Sequence, residues 1–168
     1  MIAVLSDTHC QNGNGLSGRA LEAVRKAGTV VHAGDFTTLA AFDAFRDVAD
    51  RLEAVHGNRD AVELRDCLPA QRTVEPEGVR ITLVHGHEHG ETALSLLGKA
   101  EAADVVVSGH SHRPELLDTG DSLLLNPGSH ADPRGNPAAH AELTPTAEGV
   151  LARLLASDGT EIDAATVY

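Results

Sequence analysis

Short apolar runs, each closed by a polar cluster, repeat along this chain. Met1 to Leu5 is uninterrupted and apolar, and it stops at Ser6-Asp7. A run this short predicts a strand buried on both faces. Gly13, Gly15 and Gly18, with Asn12 and Asn14 between them, predict a loop. Leu16 to Lys26 follows as a helix, because Leu16, Ala20, Ala23, Val24 and Ala27 keep helical spacing and the pattern ends at Gly28. Thr29 to Ala33 is a second strand, closed by Gly34-Asp35. Leu39 to Ala49 is a second helix with Phe42 and Phe45 inward. Arg51 to His56 is a third strand, stopped by Gly57-Asn58. Strand, loop and helix in repetition read as parallel βαβ units.

The pattern then changes. Val79 to Val84 is a strand that runs into His85-Gly86-His87, Thr92 to Ala102 is a helix, and Val105 to Val107 is a further strand. Short strands without helices follow: Glu115–Leu117, Ser122–Leu125, about Ala139–Leu143, Val150–Leu155 and about Ile162–Val167. Turn signals such as Thr119-Gly120-Asp121 and Ser157-Asp158-Gly159 separate them. A parallel half and a hairpin half predict two sheets face to face with helices outside. No repeat, linker or low-complexity tract divides the chain, so a single domain over residues 1–168 is expected.

Composition narrows the function classes. Lys and Arg number 13 against 25 Asp and Glu, a net charge of −12, which repels phosphate backbones and anionic lipid. Aromatic residues are 2% of the chain, too few for stacking platforms along a nucleic acid strand. The core must therefore be Leu, Val, Ile and Ala. The acidic balance with little lysine also suits a high-salt cytoplasm, and a GC-rich genome produces part of the same bias. Cys10 and Cys67 stand far apart and form no paired motif, which fits a reducing compartment. The apolar N-terminal run is too short for a signal peptide, and no stretch has the length of a membrane span. A cytoplasmic protein that avoids membrane and nucleic acid is expected.

The polar clusters carry the chemistry. Ser6-Asp7-Thr8-His9 follows the first strand, Gly34-Asp35 the second, and Gly57-Asn58-Arg59-Asp60 the third. His85-Gly86-His87 and Gly109-His110-Ser111-His112 follow two later strands. In parallel α/β sheets the loops at the carboxyl ends of strands gather at one edge. His, Asp and Asn offer the nitrogen and oxygen donors that divalent transition ions take. Asp7-x-His9 and His110-x-His112 have i, i+2 spacing, which in extended backbone turns both side chains the same way. The glycines ahead of the clusters would supply the sharp turns. The donors exceed the needs of one tetrahedral ion and match two ions about 3.5–4 Å apart.

This ordered set resembles the calcineurin-like metallophosphoesterases, over Asp7 to about Arg134. The compact length and Asn126-Pro127-Gly128-Ser129 are similar to the small bacterial and archaeal phosphodiesterase branch, to which the retromer subunit of this fold also belongs. The resemblance implies an α/β fold, a four-layer αββα sandwich of two mixed sheets. It also implies a dinuclear metal site. Asp7, His9, Asp35 and His112 would hold one ion. Asp35, Asn58, His85 and His110 would hold the other, with Asp35 bridging and Asp60 supporting from behind. Manganese is the first expectation, and nickel, iron, cobalt and zinc are the other candidates. Asn126 to Ser129 would be a structural loop beside the site that needs Gly128 for its turn.

Many family members have histidine after the asparagine, as general acid or phosphate contact. Here Arg59 stands there, and a guanidinium binds phosphoryl oxygens without donating a proton at neutral pH. His87 and His89 are extra imidazoles, read either as a solvated loop or as a substitute acid or phosphate contact. Asn58, Arg59 and His87 are thus the candidate catalytic residues. The expected reaction is hydrolysis of a small phosphodiester by a hydroxide bridging the two ions. A metal-bound scaffold for protein partners with little activity is the alternative. A nuclease comes third, against the charge. The sequence leaves a homo-oligomer open.

Overall fold

A computed structural model describes residues 1–167. Eleven strands form two sheets among these residues. In the first, β1 (Ile2–Leu5), β2 (Thr29–His32) and β3 (Leu52–Ala54) run parallel. On the other side of β1, β9 (Ala139–Thr146), β10 (Gly149–Ala156) and β11 (Glu161–Val167) continue antiparallel. The second sheet runs β4 (Gln71–Val74), β5 (Ile81–Val84), β6 (Val105–Val107), β8 (Leu123–Pro127) and β7 (Pro114–Asp118). Here β5, β6 and β8 are parallel and the two outer strands antiparallel.

The layers follow from which face each residue takes. Ile2, Val4 and Val31 on one sheet meet Ile81, Leu83, Val105 and Val107 on the other in a buried apolar layer. The alternate residues Ala3, Leu5 and Val30 turn outward onto the helices α1 (Gly18–Lys26), α2 (Leu39–Arg46) and α3 (Val62–Cys67). Val84, Val106 and Leu124 turn the other way, beneath α4 (Glu91–Glu101). Both faces of the central strands are covered, as uninterrupted apolar runs require. The result is the four-layer αββα sandwich.

Several expectations change. The sheets do not divide the chain into halves, because β9 to β11 return to the first sheet and pair with β1. The segment between Asn58 and Val79 holds α3 and β4, which the apolar pattern did not announce. β4 is an edge strand whose residues are exposed or half-buried, so it has no apolar face to read. Phe45 is fully buried, whereas Phe42 is only half-buried and sits edge-on to Phe36, ring centroids 5.2 Å apart. His32 is fully buried and stacks on Phe36 at 3.7 Å; burial holds its imidazole neutral, with a pKa of about 3.

A polar cluster ties α1 to β9. Arg19 donates twice to the buried carboxylate of Glu142, at 2.8 Å each, and His140 lies 3.3 Å from the same carboxylate. Burial alone would raise the Glu142 pKa; the His140 and Arg19 hydrogen bonds and the Arg19 charge outweigh it and lower the pKa to about 2. An acid whose folded pKa is depressed stabilises the fold above its unfolded pKa, and loses that contribution as pH falls through the folded value. Glu142→Gln should therefore destabilise the protein by ~1–3 kcal/mol at neutral pH. The gap from wild type should shrink steadily between the unfolded carboxyl range and pH 2. Urea unfolding of both proteins across that range measures it, and a gap that does not depend on pH would contradict this account.

Candidate metal centre

The strand ends gather where both sheets present carboxyl termini. Asp7, His9 and Asp35 arrive from β1 and β2, and Asn58 from the loop after β3. His85 leaves β5, and His110 and His112 follow β6. Asp7, Asp35, His85 and His112 are buried, His9 is half-buried, and Asn58 and His110 are exposed.

The backbone differs from the expectation. Asp7, His9, His110 and His112 have φ of 55°, 44°, 69° and 58°, and Asp35 has 63°. The i, i+2 pairs are thus left-handed rather than extended. Such φ values are unfavourable for side chains with a Cβ and persist only when surrounding contacts hold them. Those contacts link the segments to one another. Asp7 N–H donates to Gly34 O at 3.0 Å and His9 N–H to Asp35 O at 3.0 Å. His110 N–H donates to Asp7 Oδ2 at 2.9 Å. Asp60, buried, accepts from Asp35 N–H at 3.0 Å, Gly57 N–H at 2.7 Å and Thr37 N–H at 2.8 Å.

The glycines before two clusters act through space more than through turning. A Cβ at Gly109 would collide with Ser6 Oγ and Asp7 Oδ2, and one at Gly57 with the Asp35 carboxylate. The loop at Asn126 is structural. Asn126 Nδ2 donates to Gly109 O at 2.8 Å, and Ser129 Oγ donates to Asp7 O at 2.7 Å.

The donor atoms converge on one place. His85 Nδ1 lies 2.8 Å from Ala33 O, and a carbonyl only accepts, so Nδ1 carries a proton, and in the neutral ring Nε2 is the lone pair. That lone pair faces Asn58 Oδ1 at 3.1 Å, Asp35 Oδ2 at 3.3 Å and Asp7 Oδ1 at 3.9 Å. His112 repeats the arrangement. Its Nδ1 donates to Asp132 O, and its Nε2 lies 3.3 Å from Asp7 Oδ1 and 3.2 Å from His9 Nε2. His9 Nε2 is also 3.5 Å from Asp35 Oδ2. Asp7 Oδ1 is buried and has no hydrogen-bond partner.

Lone pairs this close repel unless positive charge lies among them, so the donor set fits divalent cations. Two groups form: Asp7, His9 and His112, and Asp7, Asp35 and His85, each offering one atom per residue within 4.8 Å of the others. Asp7 is common to both, and Asp35 Oδ2 reaches His9 on one side and His85 on the other. His110 is more peripheral, its ring 5.3 Å from that of His85. The electrostatics agree with a donor set suited to positive charge. Burial pushes the Asp7 carboxyl up and the His9 and His110 imidazoles down. Burial would also lower His85, but the hydrogen bond and charge of Asp35 outweigh it and raise the pKa.

Around these donors, His87 is exposed, with its ring 5.5 Å from His85 and 6.1 Å from His110. Arg59 is exposed, and its backbone N–H donates to Asp35 Oδ1 at 2.7 Å. Cys10 Sγ turns away, donating to Thr8 O at 3.3 Å. Ser129 lies in the loop expected to be structural, whereas the Asp132 carbonyl was not foreseen, because a backbone group leaves no residue-type signal.

Comparison with known proteins agrees with this geometry. Residues 1–147 match the calcineurin-like phosphoesterase superfamily domain. The chain is 35% identical over 139 residues to a probable metallophosphoesterase of Methanocaldococcus jannaschii, covering 80% of this chain and 70% of that protein. It is 35% identical over 109 residues to phosphodiesterase YfcE of Escherichia coli, covering 60% of this chain and 56% of that protein. The solved YfcE structure, of a protein described as a phosphoesterase, superimposes with a TM-score of 0.74 at 25% identity, covering 99% of each chain. Zinc-complexed Vps29 of Entamoeba histolytica shares the fold, with a TM-score of 0.80 at 20% identity over 99% of each chain. The chain belongs to the calcineurin-like phosphoesterase superfamily, a family of metal-dependent hydrolases acting on phosphate esters.

Gly109→Ala should displace the Asp7 carboxylate while leaving the folded core intact. Manganese affinity is expected to fall by ~10–100-fold, as for lost support of a ligand elsewhere. Manganese titration with a circular dichroism control checks this; unchanged affinity in a folded variant would count against it.

Proposed function

We propose that this protein is a dinuclear-metal phosphodiesterase acting on small diesters. The observation that carries the reading is the buried Oδ1 of Asp7, without a hydrogen-bond partner among the described residues and facing the Nε2 atoms of His85 and His112. Asp7, His9, Asp35 and His112 would hold one divalent ion, and Asp35, Asn58, His85 and His110 the other, manganese being favoured. Bound there, two cations supply positive charge against phosphoryl oxygens and make water acidic enough to attack at neutral pH.

The chain's own residues do the rest. Ala33 O and Asp132 O fix the imidazole tautomers, and Asp60 holds the backbone of Asp35 in place. Arg59 is exposed, with no ion pair to its guanidinium among the described residues, and would meet a phosphoryl oxygen. It adds charge complementarity and supplies no proton. His87, exposed beside His85 and His110, would protonate a departing oxygen. The −12 charge supports small substrates over nucleic acid. The name phosphodiesterase borne by YfcE supports diesters. The proposal includes a single domain over residues 1–168, a reducing cytoplasm consistent with free Cys10 and Cys67, and a homo-oligomer, for which the sheets offer the edge strands β3, β4, β7 and β11.

Likeness to Vps29 favours a second reading, a metal-bound scaffold for protein partners. Bis(p-nitrophenyl) phosphate with and without manganese separates the two. Turnover should require the metal, and its absence in metal-loaded protein would favour the scaffold. Asp35→Asn should weaken both ions and His110→Ala mainly one, by elemental analysis after saturation; full occupancy in both variants would contradict the assignment. Arg59→Ala should cost ~1.5–3 kcal/mol in kcat/KM without moving the acid limb of the pH profile. A moved acid limb would show that Arg59 acts through a titrating group instead.

A further inference from the structure

A cavity of about 290 Å³ opens beside the candidate metal centre, between the loop after β6, the start of α4 and strand β7. That is near the lower end of the roughly 300–1,000 Å³ of small-molecule sites. His110 and Gly109 form its wall on the side of the metal centre. Leu94 and Leu124, from the apolar layer under α4, line its interior. Leu117 and Glu115 share one face of β7 and complete the side, because alternate residues on a strand point the same way.

The polar groups in the cavity are unlike those of the metal centre. Glu91 and Glu115 are the charged residues lining it, and both are exposed. Glu115 lies 3.5 Å from Arg113, whereas Glu91 has no cation within ion-pair distance among the described residues. His89 also lines the cavity, and its Nδ1 is buried without a hydrogen-bond partner. An occupant would meet an apolar body and a negatively charged rim, with the His89 ring in the wall and its Nδ1 buried behind it.

Building on the phosphodiesterase reading, we propose that this cavity receives one ester substituent of the substrate. The favoured group has an apolar, ring-sized body and is uncharged or cationic. A substituent with a further phosphate or carboxylate is rejected by Glu91 and Glu115. A phosphoryl group held at the metal centre has His110 at its side, so its ester oxygen points a substituent directly into the space behind that residue. Burying the ring against Leu94, Leu117 and Leu124 supplies the affinity that the exposed metal centre alone does not.

Phosphate monoesters test this, since each carries a single substituent and binds without turnover as a product analogue. The probes are methyl phosphate, benzyl phosphate, phosphocholine and 2-carboxyethyl phosphate, titrated calorimetrically into manganese-saturated protein. Wild type should bind benzyl phosphate at least ~10-fold more tightly than methyl phosphate, and 2-carboxyethyl phosphate more weakly than either. Leu117→Trp fills the cavity from an exposed strand position, and should abolish the benzyl preference while leaving methyl phosphate unchanged. Glu91→Gln should weaken phosphocholine and improve the carboxyethyl ester. Intact methyl phosphate binding with no benzyl preference, or a preference that survives Leu117→Trp, overturns the cavity assignment alone. Failure to bind methyl phosphate at all, with no metal-dependent turnover of the nitrophenyl diester, overturns the phosphodiesterase reading and this inference with it.

Discussion

The Asp7 carboxylate joins the two sheets of this protein. It leaves β1 in the first sheet, and its Oδ2 accepts the backbone N–H of His110 from the second. Its Oδ1 stands buried between His85 and His112 with no hydrogen bond of its own. A buried carboxylate without compensation costs several kcal/mol or takes up a proton. Protonation would satisfy one neighbour only, because His85 and His112 both present lone pairs. Divalent cations satisfy all of them together. The same arrangement that is costly without cations therefore supplies affinity for them, and ion binding should stabilise the fold as well as enable chemistry.

That carboxylate reaches both sheets because of the order of strands. β1 lies between β2 and β9, and β6 between β5 and β8, so the loops after both emerge near the middle of their sheets. The left-handed backbone at Asp7, His9, Asp35, His110 and His112 then folds the loops back over the strand ends. Each such residue costs ~1–3 kcal/mol of conformational energy. Hydrogen bonds between segments oppose that cost, with Asp60 contributing three acceptor contacts behind Asp35 and its neighbours. A long buried apolar layer between the sheets supplies the stability that this strained rim draws on.

The sequence made most of this legible, for physical reasons that differ by residue. β1, β2, β5 and β6 could be read because strands covered on both faces are apolar throughout. The donors could be read because Asp, His and Asn recur immediately after those strands, where topology brings them together. α3 and β4 were opaque: Leu64 alone is buried on α3, and β4 is a polar edge. The return of β9 to pair with β1 was equally hidden, since pairing partners leave no local mark. The premise of extended i, i+2 pairs was wrong although the residues it selected do converge. Their direction is set by backbone ties such as His9 N–H to Asp35 O, which any residue type could make.

The three imidazoles of His85-Gly86-His87-Glu88-His89 show how far residue type and spacing carry. All three are alternate residues in one loop, and spacing alone would set them on one face. Gly86, with φ of 96°, breaks that alternation at once. His85 goes inward, tied to Ala33 O with its lone pair among the carboxylates. His87 stays exposed over His85 and His110. His89, whose N–H donates to Gly86 O at 3.1 Å, turns under the loop into the neighbouring cavity. In the proposed reading His85 would address a cation and His87 the outer face of the reacting phosphate, while the His89 ring forms part of the cavity wall. On this reading a single glycine converts a repeated motif into three different chemical environments. In that reading Arg59 at the position of the family's histidine would matter less, because proton transfer would pass to His87 while Arg59 keeps its charge for the phosphoryl oxygens.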